Sequence, residues 1–166
     1  MVEITLSMLL DTIRTTGIII GIIYYLSIMR NQSKTREAQF LLQLNQVFQD
    51  KEAIKDWHDV LVMEFQDYQD FLEKYDSTVN MENYLQRSRI YRMLNTFGHI
   101  IKRGLVAPET VYDGIQGGFI EDMWNKHSLI INEIRKQMRN PHFHEGFEYL
   151  VKTMKKVDEE KLQSIT

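Results

Sequence analysis

Apolar residues are nearly continuous over the first thirty positions and then settle into helical spacing for the rest of the chain. Residues 4–29 carry only two charges, Asp11 and Arg14, and the basic cluster Arg30, Lys34 and Arg36 follows at once. A bilayer span takes about 20 mostly apolar residues at a rise of about 1.5 Å each. Residues 13–29 with their flanks therefore predict a single transmembrane helix. Its uncharged core, residues 15–29, is fifteen residues long, so the turn before it has to contribute. Asp11 and Arg14 lie three apart on one helical face, where they can pair and reach the headgroups. A signal peptide fits less well, because Glu3 stands where Lys or Arg is expected and no small-x-small cleavage site follows.

Lys and Arg concentrate after the span, which predicts an outside N-terminus and a cytoplasmic body at the cell membrane. Tyr24 and Tyr25 then fall toward the inner interface, with Arg30, Lys34 and Arg36 beyond them. Gly17 and Gly21, four apart, form the small-residue pattern that lets two membrane helices approach closely, and so predict a homo-oligomer through the span.

Downstream, Pro and Gly are absent until Gly98, and the period of the apolar positions predicts an all-α fold. No breaker interrupts residues 28–49, so the membrane helix is expected to continue into the cytoplasm as a rod with Ala38, Leu41, Leu44 and Phe48 on one stripe. Ile54, Trp57, Leu61, Phe65, Tyr68, Leu72 and Tyr75 keep three/four spacing, as one helix or as two broken near Asp67. Residues 81–102 form the next helix, with Leu85, Ile90, Leu94, Phe97 and Ile101 inward and Gly104 as its left-handed stop. Pro108 opens a short helix to Ile115, stopped by Gly117 and Gly118. Ile120, Met123, Trp124, His127, Ile130, Ile131, Ile134 and Met138 share one face of a long helix that ends at Asn140 and Pro141. Phe143, Phe147, Leu150, Val151 and Met154 define the last helix, and the charged end of the chain is expected to fray. The predicted organisation is a tail and transmembrane helix over 1–30, a cytoplasmic bundle of about five to six helices over 31–157, and a charged tail over 158–166.

Composition narrows the chemistry. A formal charge of -3 gives no basic field for nucleic acid, and the absence of cysteine removes disulfides, thiolate metal sites and thiol nucleophiles. Phosphate-loop, nucleophile-elbow and dinucleotide motifs are missing.

Asn95-Thr96-Phe97-Gly98-His99, then residues 104–109 from Gly104 to Glu109, Met123-Trp124, Ile134-Arg135 and Phe147-Glu148-Tyr149-Leu150 together resemble a family of prokaryotic membrane-anchored helical proteins known as domain of unknown function 4760. The resemblance implies a helical fold and a membrane location, and it brings no activity, cofactor or catalytic residue. It also implies that Trp124, Arg135, Phe147 and Glu148 are internal contacts: an indole in the core, and a guanidinium facing a carboxylate between the last two helices.

His142 and His144, with Glu145 and Glu148 close by, are the best metal candidates in the chain, since imidazole and carboxylate suit zinc or iron. Residues two apart point away from each other on a helix, so both histidines serve one ion only if this stretch is extended. The zincin pattern fails at Glu148, and there is no Glu-x-x-His pair for a di-iron bundle. A polar interhelix turn accounts for these residues more simply, and no metal or other cofactor is assigned. Arg87, Arg89 and Arg92 spread around their helix and read as a solvated face, and His127 reads as a core histidine. No catalytic residue is assigned. The sequence points to a membrane-tethered module that binds an unidentified protein partner, with a tethered metal-dependent enzyme built on residues 142–148 as the alternative.

Overall fold

This computed structural model describes residues 6–115 and 117–165; among them the side chains of residues 6–9, 11–13, 45, 47–49 and 165 are left aside. The chain is all-α over the described residues. The helices are α1 (Leu6–Gln49), α2 (Lys51–Leu61), α3 (Tyr68–Tyr75), α4 (Met81–Lys102), α5 (Pro108–Ile115), α6 (Gly117–Met138) and α7 (Glu145–Ile165). Two compact units divide it, Met1–Phe40 and Leu41–Thr166.

In the first unit α1 is unbroken, as the absence of Pro and the scarcity of Gly require. Its apolar side chains Ile18, Ile19, Ile20, Ile22, Ile23 and Leu26 are each more than half exposed, on every side of the helix. Among the described residues no helix is long and apolar enough to cross a membrane. Fifteen residues between Arg14 and Arg30 span about 22 Å, short of a hydrocarbon core of about 30 Å, and the turn that would extend them includes side chains outside the described set.

The second unit is a bundle in which α7 packs chiefly on α4 and next on α6. Leu94, Ile120, Met123, Ile130, Ile131, Phe147, Leu150 and Met154 are essentially inaccessible and form its centre. Side-chain caps start three of its helices: Asp50 accepts from the Ala53 amide, Asp67 from Asp70 and Asn80 from Asn83. Gly104, at φ 65°, closes α4 with the Leu105 amide on the Ile100 carbonyl. The α4/α7 crossing is glycine on glycine. A Cβ at Gly98 would overlap the Gly146 carbonyl, and one at Gly146 would press on the Asn95 backbone. At this closeness Asn95 Oδ1 accepts from the Gly146 amide at 2.9 Å and satisfies an otherwise orphaned donor in the first turn of α7.

Several expected inward positions lie outside. Ile54 and Leu85 are about half exposed, because Asp56 with Arg89, Asp59 with Gln86 and Lys55 with Glu82 occupy the α2/α4 seam instead. Met138, in the last turn of α6, and Leu41 are exposed, whereas Leu44 is buried with its Cδ2 methyl over Gly114. Trp124 is only partly buried, standing edge-on to Phe147 at 5.1 Å at the rim of the core. Gly117 begins α6 and is buried, because the Tyr112 ring occupies the space a Cβ would need. The charged end is helical through Ile165, since Asp158 accepts from the Tyr112 hydroxyl and Lys161 pairs with Asp113.

Candidate functional site

The 140–148 segment was the richest in ligand-type residues, and the backbone separates them. Asn140 Oδ1 accepts from the His142 amide, which turns the chain after Pro141. His142 is largely exposed and its Nδ1 lies 2.8 Å from Glu145 Oε2. His144, in the left-handed region at φ 54°, goes the other way: its ring is half-buried against Tyr91 at 5.6 Å and Phe143 at 4.1 Å. Burial, with Arg135 and Arg92 nearby, pushes its pKa down to about 4, so the imidazole is neutral. Glu148 faces Lys152 at 2.7 Å and Arg135 at 2.9 Å, and these hydrogen-bonded cations hold its carboxyl below the ordinary range against the opposing effect of burial. The two histidines thus diverge. Among the described residues, no three His, Asp or Glu side chains come close enough to hold a metal.

Arg135 does more than meet Glu148. Its Nε donates to the Phe143 carbonyl at 2.8 Å, so one guanidinium ties the end of α6 to the turn and to α7. Phe147 is fully buried beneath this tie.

A second polar cluster lies in the core between α2, α4 and α6. His127 is inaccessible, and its Nε2 lies 3.0 Å from the Val60 carbonyl, which assigns the proton to Nε2 and leaves Nδ1 as an acceptor. That Nδ1 and the Tyr91 hydroxyl, on a ring 5.5 Å away, have no hydrogen-bond partner among the described residues. Burial pushes the His127 pKa down to about 4, partly offset by the Val60 contact and reinforced by Arg87 and Lys126. Burial also raises the Tyr91 phenol, with the Arg87 cation opposing. Arg87 is itself buried, contrary to the solvated face expected for the arginines of α4. Its Nη2 donates to the Tyr75 carbonyl at 2.7 Å, its Nε to Asn83 at 2.8 Å, and its plane covers the Phe71 ring at 4.6 Å. Arg89 pairs with Asp56, and Arg92 stays exposed. Sequence reasoning placed His127 in the core but not its partners, because a backbone carbonyl of α2 and a ring of α4 leave no mark in the spacing of α6. With a neutral His and a neutral Tyr closed off from solvent, the cluster orders the core and offers no accessible acid, base or nucleophile.

Two of the open surfaces among the described residues carry apolar groups. On α1, Tyr24 and Tyr25 are about two-thirds exposed, Arg30, Lys34 and Arg36 are exposed, and a Cβ on Gly17 or Gly21 would meet nothing within 4 Å. In the second unit an apolar hollow of about 400 Å³ lies between α2, α5 and α6, lined by Ile54, Trp57, Leu61, Ile115 and Phe119 among others. Its floor is the Trp57/Phe119 ring pair at 5.1 Å. No curated protein and no solved structure matches the chain. The family described as Domain of unknown function (DUF4760) matches residues 12–154, from within the apolar run of α1 to Met154 of α7, and the chain belongs to that family.

Proposed function

We propose that the chain is a single-pass membrane protein whose helical unit, residues 41–166, binds other proteins at the cytoplasmic surface. The observation that carries this reading is the exposure of Ile18, Ile19, Ile20, Ile22, Ile23 and Leu26 on all sides of an unbroken helix. Covering one such side chain is worth about 1.5–3 kcal/mol, and a helix that is apolar all round needs an apolar surrounding on every side. Lipid provides that, and Arg30, Lys34 and Arg36 then sit at the inner headgroups. The short apolar length is met by the preceding turn or by local thinning of the bilayer. The bare strip at Gly17 and Gly21 suits close approach of a second copy within the bilayer.

Tethering confines the helical unit to a surface, which raises its effective concentration toward a membrane-bound partner, and the hollow floored by Trp57 and Phe119 is the apolar surface such a partner would use. The test is a C-terminal reporter combined with alkaline extraction of membranes. Retention in the membrane with the reporter on the cytoplasmic side is expected. Complete release, or a reporter outside, would remove the reading.

A further inference from the structure

α6 ends in a way that glycine usually ends a helix, but with an arginine. Arg139 has φ 50°; its amide donates to the Lys136 carbonyl at 3.2 Å, and the Asn140 amide donates to the Arg135 carbonyl at 3.0 Å. This is the left-handed closing turn in which glycine or asparagine is favoured and a long side chain is strained. Neutralising the helix dipole does not require that strain, because Arg135 and Lys136 already stand in the last turn and the amides of 139 and 140 cap two carbonyls.

What the arginine adds is a free cation at an open hollow. Arg139 makes no side-chain hydrogen bond or ion pair among the described residues, and it lines a surface hollow of about 620 Å³ with Asn132, Arg135, Lys136 and Pro141. No carboxylate lines that hollow. At its edge Glu133 meets Lys136 at 2.6 Å, and Glu148 is shared between Arg135 and Lys152, leaving the cations in excess. Arg135 is held fixed by the Phe143 carbonyl, Asn132 and Glu148 with its Nη2 buried, so it contributes immobile positive charge to the hollow and no open donor.

From this convergence we infer that the end of α6 is a binding site for a phosphate group, with Arg139 and Lys136 supplying charge-assisted hydrogen bonds and the immobilised Arg135 adding fixed positive charge behind them. The same chemistry is offered by a phosphorylated solute and by a phospholipid headgroup.

The test titrates inorganic phosphate into the full-length chain in neutral detergent at constant ionic strength, with chloride as the reference. The readouts are the NMR signals of Arg139 and His142 and the melting temperature. Saturable shifts specific to phosphate are expected, weakened fivefold or more in both Arg139→Gly and Lys136→Gln. Arg139→Gly should meanwhile melt at or above the parent, since glycine takes the left-handed turn without strain, which separates lost binding from lost folding. A parallel arm uses detergent micelles carrying phosphatidic acid against free glycerol phosphate at equal concentration. Tighter saturation by the micelles assigns the site to a headgroup, and tighter saturation by the free ester assigns it to a solute. The inference fails if none of these probes gives a saturable shift, or if Arg139→Gly binds as the parent does.

Discussion

His127 fills a core position with a group that has to stay neutral. Its pKa in the folded chain is about 4, against an ordinary value near 6.5, and the charged groups that act on it, Arg87 from α4 and Lys126 from its own helix, are both cations. Because the folded value is depressed, the unfolded chain takes up the proton first as pH falls. Stability is therefore complete above about pH 6.5 and declines as the pH drops toward 4, by about 3 kcal/mol in all for this one group. His144, also depressed to about 4, adds a loss of the same sign. Urea midpoints measured at pH 7 and pH 4.5 should differ clearly in the parent. The difference should shrink in His127→Leu, whatever that substitution costs at neutral pH; an unchanged pH dependence would mean that the imidazole is hydrated in the folded state.

Between elements, the contact most sensitive to a single atom is the α4/α7 crossing. Gly98→Ala sets a methyl against the Gly146 carbonyl, and the helices have to separate, which also stretches the Asn95 bond to the Gly146 amide. A loss of about 2–3 kcal/mol is expected in chemical denaturation, whereas Gly118→Ala, facing open space, should be neutral or stabilising. Periodicity located α4 over Met81–Lys102, its stop at Gly104 and the start of α5 at Pro108, since caps, breakers and stripes are local signals. It said nothing of why Gly98 lies in mid-helix, because the reason is another helix. The same limit explains Leu85 and Arg87. Their spacing marked one as inward and the other as solvated, yet a polar α2 seam left Leu85 outside and the Phe71 ring drew Arg87 in. At the 142–148 segment the residue types were legible, but the left-handed turn at His144 that parts the two imidazoles was not.

For the molecule as a whole, every buried apolar side chain among the described residues belongs to the Leu41–Thr166 unit, beginning with Leu44. A fragment starting at residue 37 should accordingly fold without α1's apolar run and melt cooperatively. Circular dichroism and calorimetry check this: a broad, non-cooperative transition would show that residues before 37 are needed for the core. Within that unit the seams are unequal. α4, α6 and α7 are joined chiefly by apolar and glycine contact, while α2, which also buries Trp57 and Val60, meets α4 through the charged set Asp56, Asp59 and Lys55, and the bend after α2 is held by Lys126 on the Leu61 carbonyl and Lys74 on the Glu64 carbonyl. Salt screens charged seams and leaves apolar ones intact. Amide hydrogens of α2 and residues 62–67 should then exchange through a partial opening, faster still in high salt, while those at the centres of α4 and α7 wait for global unfolding. In practical terms the charged seam is a fault line: a protease offered the native protein should cut first at residues 62–67 and leave a nicked molecule whose two pieces stay associated through the buried Trp57 and Val60.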